Sequence, residues 1–140
     1  MIIDASNKEI INTKAVYYHD DVLTGFTFDR ARKKLRLTIA KFGTEKRTKI
    51  IFENVIGFAM SSCDFWGIND ERILGFCLLE PEREVLIPKI YKKMEKEECC
   101  PLKAREAYFE TAMSFVTGDN LFVACERIVL ERSELENAAE

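Results

Sequence analysis

Lys34-Leu35-Arg36-Leu37-Thr38-Ile39-Ala40-Lys41 carries the cleanest apolar–polar alternation in the chain. A period of two puts Leu35, Leu37 and Ile39 on one face and Lys34, Arg36 and Thr38 on the other. That is the pattern of a strand with one buried and one wet face. Just upstream, in Leu23-Thr24-Gly25-Phe26-Thr27-Phe28, Phe26 and Phe28 share a face and Thr27 takes the other. Only the polar stretch Asp29-Arg30-Ala31-Arg32-Lys33 separates the two segments, which predicts a hairpin. Downstream, Phe42-Gly43-Thr44-Glu45 reads as a turn into a third strand, Lys46 to Phe52, with Thr48, Ile50 and Phe52 on one side. Three successive antiparallel strands make a meander, about the minimum for independent stability. Glu53-Asn54 can then turn the chain into Val55-Ile56-Gly57-Phe58-Ala59-Met60.

Further out the signals are shorter. Residues 6–13 read as a first helix, with Ser6 or Asn7 as N-cap and Glu9 three residues after Ser6. Residues 61–70 break all periodicity and form a loop, and Ile73 to Leu79 reads as a short buried strand. A short strand is expected at 83–87 and a helix at 88–98, because proline is tolerated at the first helical position. Ile90, Tyr91 and Met94 give that helix its apolar stripe. Segment 104–117 is ambiguous: Ala104, Tyr108, Thr111, Ala112 and Phe115 fit a helix, whereas Phe109, Thr111, Met113 and Phe115 fit a strand. The turn cluster Thr117-Gly118-Asp119-Asn120 and the alternation from Leu121 to Leu130 make a strand–turn–strand hairpin the simpler account. The acidic, polar tail 131–140 is expected to fray.

The expected fold is therefore α+β: a mainly antiparallel β-meander forming a small barrel or sandwich, with one or two covering helices. Its expected core is Leu23, Phe26, Phe28, Leu35, Leu37, Ile39, Ile50, Phe52, Phe58, Phe76, Met113 and Val123.

Composition bounds the rest. The 140 residues suit a single domain spanning 1–140, long enough to need no metal or disulfide staple. Hydrophobic residues at 47% and charged residues at 32% exclude wholesale disorder. A net charge of −3 argues against a mainly electrostatic nucleic-acid binder. No apolar run approaches the roughly 18 residues needed to span a bilayer. Met1 to Glu9 lacks the basic start and apolar stretch of a signal peptide, so a cytoplasmic protein without a membrane partner is expected. The five cysteines, Cys63, Cys77, Cys99, Cys100 and Cys125, form an odd set best read as reduced thiols.

Few residues point to chemistry. His19 is the only histidine and stands in Tyr17-Tyr18-His19-Asp20-Asp21, between the first helix and the first strand. It can be a general base oriented by a neighbouring carboxylate. It can equally be a ring that bonds the backbone and fixes the corner. The chain has no G-x-S-x-G elbow, no C-x-x-C pair and no Gly-rich phosphate loop, so no catalytic residue, metal or cofactor is assigned. Cys77 and Cys125 fall inside expected strands, where cysteine acts as a small hydrophobe. Basic residues gather at Arg30, Arg32, Lys33, Lys34 and Arg36 and again at Lys89, Lys92 and Lys93. They read as solvated faces that also protect strand edges. In the loop Ser62-Cys63-Asp64-Phe65-Trp66-Gly67, two large aromatics sit beside a carboxylate. Trp is enriched at interaction hot spots, although such a loop can also be a lid packed onto the sheet. The candidate binding residues are thus His19, Asp20, Asp64, Phe65 and Trp66.

Four stretches together carry a resemblance. They are His19-Asp20-Asp21-Val22 leading into Phe26-x-Phe28-Asp29; Leu35-x-Leu37 followed by Ile51-Phe52-Glu53-Asn54-Val55; Ser62-Cys63-Asp64-Phe65-Trp66-Gly67; and Thr117-Gly118-Asp119-Asn120-Leu121 with Ala124-Cys125-Glu126. In them the chain resembles small uncharacterised bacterial β-rich proteins that open with a His-Asp corner. Some of these are encoded in toxin–immunity loci. The chain has Asp21 where such proteins often carry a small residue. The resemblance implies a non-catalytic module that binds another protein, in the immunity case a cognate toxin, and transfers no catalytic residue. The alternative expectation is a small-molecule-binding protein or enzyme using His19 with Asp20 or Asp64. A third is homo-oligomerisation through an exposed strand edge.

Overall fold

The computed structural model describes residues 1–61 and 72–133. Its strands are β1 (Ile2–Ile3), β2 (Val22–Asp29), β3 (Lys34–Ala40), β4 (Arg47–Glu53), β5 (Gly57–Met60), β6 (Ile73–Leu78), β7 (Phe109–Phe115), β8 (Asn120–Cys125) and β9 (Arg127–Ser133). One α-helix, α1 (Leu86–Lys96), stands among them. The strands make two antiparallel sheets, ordered β1-β9-β4-β3-β2 and β5-β8-β7-β6.

The meander β2-β3-β4 is as the alternation predicts, with Leu35, Leu37 and Ile39 buried beside Ile50 and Phe52. The next strand leaves it. At Asn54, whose backbone is left-handed (φ 51°), the chain crosses to the second sheet, and it crosses back at Glu126. These two crossings lie side by side. Glu53 pairs with Arg127 in the first sheet and Gly57 with Ala124 in the second, so one two-stranded ribbon bends from sheet to sheet. Main-chain bonds from Glu126 N–H to Glu53 O (3.2 Å) and from Ile56 N–H to Ala124 O (2.9 Å) carry the ladder through the bend. Strands that change sheet at a corner are a standard way to fold one sheet over another. The barrel alternative therefore does not hold: the sheets stay open and share one core between them. Phe52 and Phe76 meet edge-on in that core at 6.3 Å between ring centroids.

The helix α1 covers the outer face of the second sheet. Ile87 packs there with Tyr108 and Ala124, and Ile90 lies over β5 at Gly57, where a Cβ would stand 2.9 Å from the Ile90 Cδ1. The strand expected at 83–87 is absent. A one-turn 3-10 helix at Pro81–Arg83 precedes α1, which begins two residues before Pro88. Proline is still tolerated there, since the first-turn N–H groups have no partner within the helix.

Several smaller expectations change. The first helix is a 3-10 turn at Lys8–Asn12. Segment 104–117 resolves into a 3-10 turn at Arg105–Ala107 and strand β7. Strand β9 runs to Ser133, three residues into the tail expected to fray. Phe26 is 37% exposed rather than core, although it and Phe28 both touch Phe58. Cys77 faces outward on β6, whereas Cys125 is fully buried.

The outer edge of β6 is covered by the chain's own N-terminal segment. Asn12 Oδ1 accepts from Leu78 N–H (2.9 Å), and Asp20 N–H donates to Ile73 O (2.8 Å). Such cover blunts a sheet edge that could otherwise pair with another chain. No helix among the described residues is long and apolar enough to cross a membrane.

Candidate functional site

The corner between the first 3-10 turn and β2 is built on backbone bonds. Asp21 N–H closes a turn onto Tyr18 O (3.0 Å), and Asp20 takes a left-handed conformation (φ 69°), which Asp tolerates better than most residues. Ile73 N–H then bonds Asp21 O (2.8 Å), which joins the start of β2 to β6. His19 stands on this corner with its side chain 44% exposed. Its Nδ1 lies 2.8 Å from Leu74 O. A carbonyl oxygen only accepts, so Nδ1 carries the proton and donates. Nε2 lies 3.5 Å from the Asp20 carboxylate.

In a catalytic His–carboxylate pair, one ring nitrogen holds the orienting acid and the other faces substrate. Here both nitrogens face acceptors of the chain itself. Of the two readings of His19, this geometry matches the one in which the ring bonds the backbone and fixes the corner.

The corner places His19 and Asp20 side by side. Asp64, Phe65 and Trp66 lie outside the described residues. Two side chains that the sequence reading did not single out complete the surface. Tyr17, 67% exposed, sits with its ring 6.2 Å from that of His19. Leu74, 48% exposed, belongs to the residue whose carbonyl holds the imidazole. Tyr17 adjoins His19 in the chain and was within reach of sequence reasoning. Leu74 sits 55 residues away and was not. Beneath them is a hollow of about 330 Å³ lined by Ile11, Val16, Tyr18 and Phe76 among others.

Two further hollows differ sharply in electrostatics. The first, about 550 Å³, lies at the sheet-to-sheet bend and is balanced. Lys34 pairs with Glu53 at 3.2 Å, Arg127 also pairs with Glu53, and Lys103 pairs with Glu126 at 2.6 Å. Asn54 Nδ2 donates to Glu126 as well (2.8 Å). The Lys103 and Asn54 donors hold the Glu126 carboxyl below its ordinary range. Burial works to raise Glu53, but the Arg127 and Lys34 donors outweigh it and its carboxyl also ends low. These residues absorb part of the basic cluster at the first hairpin, and Arg32 adds a contact to Asp29 at 3.8 Å. The second hollow, about 290 Å³, shares Tyr17 and Tyr18 with the His19 corner, and half of its lining residues are cations. Within it burial raises the Asp21 carboxyl, opposed by the Phe42 N–H it accepts and by nearby Lys41.

Burial pushes the Cys125 thiol far above the range in which a reactive thiolate forms. Among the described residues no three His, Cys, Asp or Glu side chains converge as metal ligands would. Comparison of the chain with models of known families, with curated proteins and with solved structures found no match.

Proposed function

We propose that the protein is a non-catalytic, cytoplasmic interaction module that binds another protein through the Tyr17–His19–Leu74 surface. The observation that carries this reading is the corner itself. An exposed tyrosine and an exposed leucine flank an imidazole tethered through Nδ1 to the Leu74 carbonyl. Aromatic side chains at the centre of an interface contribute disproportionately to binding, and a rigid, backbone-tethered platform loses little freedom on association. The exposed, unbridged Cys77, Cys99 and Cys100 suit a reducing compartment. The resemblance noted above gives the proposal a specific form, an immunity-type protein whose partner is a cognate toxin.

Co-purification from the native host, followed by titration of the captured partner, tests the proposal. Tyr17→Ala with Leu74→Ala is expected to weaken binding at least tenfold, about 1.4 kcal/mol, with the unfolding midpoint unchanged. A chain that elutes alone, or a double variant that binds as well as the parent, overturns it.

The hollow under His19 favours a second reading, a small-molecule binder or enzyme using His19 with Asp20. A metabolite that raises Tm by several degrees in the parent and not in His19→Ala would select it.

A further inference from the structure

The 290 Å³ hollow gathers cations from four separate parts of the chain. Lys14 comes from the segment after the first 3-10 turn, Lys41 and Lys46 from the β3–β4 connection, Arg47 from the start of β4 and Arg132 from the end of β9. Among the described residues Asp21 is the one carboxylate in the lining, and Lys46 has a partner of its own. Among the described residues the two guanidinium groups bond main-chain carbonyls and no carboxylate. Arg132 Nη2 donates to Ala15 O (2.8 Å), and Arg47 Nη1 donates to Lys46 O (3.1 Å). A main-chain carbonyl orients a guanidinium but leaves its charge uncompensated. The contrast with the bend is direct, since there each of Lys34, Lys103 and Arg127 meets a carboxylate. In a chain of net charge −3, this is a concentrated positive site.

A second, independent observation concerns Tyr18. It is only 4% exposed, and its hydroxyl is buried without a hydrogen-bond partner. Tyr18 lines the same hollow, and its hydroxyl lies within electrostatic reach of Arg132 and Asp21, two other lining residues. Buried hydroxyls are nearly always satisfied, so an orphan one beside a cationic hollow is a donor awaiting an acceptor. Burial pushes the phenol up to about 12, with Arg132 opposing and Asp21 adding, so it stays a neutral O–H donor at physiological pH.

We propose that this hollow is a binding site for a small phosphorylated polyanion, held by Lys14, Lys41, Arg47 and Arg132 with the Tyr18 hydroxyl as a neutral donor at its floor. Several cations around so small a volume call for more than one negative charge on the ligand. Guanidinium forks match phosphate oxygens in pairs, and lysines add point charge. The small volume suits a compact ligand rather than a nucleic-acid strand, which needs an extended basic groove. The proposal does not depend on the protein-binding surface at His19.

Inorganic pyrophosphate is the probe, titrated by calorimetry into the full chain. The expected result is a Kd below about 1 mM that weakens as salt is raised. Lys14→Gln with Lys41→Gln is expected to weaken binding at least tenfold with little change in the unfolding midpoint, because among the described residues neither ammonium makes a hydrogen bond or close ion pair and Lys41 acts on Asp21 only at a distance. Tyr18→Phe is expected to weaken binding severalfold while folding at least as stably as the parent, since it deletes only the orphan hydroxyl. Lys89→Gln with Lys92→Gln, on the solvated side of α1, is expected to bind as the parent does. Absence of binding at millimolar pyrophosphate overturns the proposal. So does equal affinity in the Lys14/Lys41 variant, or an equal loss in the Lys89/Lys92 variant, which would make the attraction diffuse.

Discussion

Thr111 shows how a single position can fit the strand pattern and still be poorly served. It follows the alternation of β7, facing the core with Phe109, Met113 and Phe115. Its cross-strand neighbours are Leu78 on β6 and Val123 on β8, both apolar, and its hydroxyl has no hydrogen-bond partner. Valine has nearly the same shape and no polar group to desolvate. Thr111→Val is therefore expected to raise the unfolding free energy by about 1 kcal/mol, read as a higher urea midpoint with an unchanged slope. That Thr111 points inward was legible from Phe109, Met113 and Phe115. That its hydroxyl would find no acceptor was not, because its neighbours come from strands 33 residues upstream and 12 residues downstream.

At the scale of elements, α1 depends on one residue of β7. Val85 at the helix cap has no side chain able to accept a hydrogen bond, and no acidic residue occupies the first turn. Glu110 supplies both functions from the sheet beneath. Fully buried, its carboxylate accepts from the N–H groups of Val85 (3.0 Å), Leu86 (2.9 Å) and Ile87 (3.1 Å). A carboxylate there satisfies the orphan donors and meets the positive end of the helix dipole. The far end closes conventionally: Cys99 N–H bonds Met94 O and Glu98 N–H bonds Glu95 O, with Glu98 left-handed at φ 51°. Glu110→Ala is expected to cost about 3 kcal/mol, since three charge-assisted bonds go and buried donors lose their acceptor. Hydrogen exchange would show the amides of α1 losing protection ahead of those of β3 and β4. Glu110 also explains the double reading of segment 104–117. Strand β7 is buried on both faces, by the first sheet and by α1, so Glu110 and Ala112 are buried beside the alternating Phe109, Met113 and Phe115, and period alone does not separate helix from strand.

For the whole molecule, the decisive feature is the bent ribbon that passes from β4 and β9 into β5 and β8. Its corner carries Glu126, whose carboxyl is held low by Lys103 and Asn54. In the unfolded chain that carboxyl returns to its ordinary value of 4.5. The folded state thus binds its proton less readily. Its contribution is fully present above that value and is lost as pH falls through the lower folded one. Urea unfolding followed on acidification is expected to show stability falling below about pH 4.5, and Glu126→Gln is expected to flatten that fall. An unaltered slope in the variant would remove Glu126 from the account. The meander, the β7–β8 hairpin and the buried faces of the central strands were legible from sequence alone, because alternation between consecutive residues fixes which side chains share a face before any partner is chosen. The fold's decisive contacts belong to tertiary structure: the crossing of the ribbon between sheets, Glu110 under α1, Leu74 beside His19, and the gathering of Lys14, Lys41, Arg47 and Arg132. Each joins residues distant in the chain, and only the folding of sheet on sheet, of α1 onto the second sheet and of the N-terminal segment onto the first brings them within reach of one another.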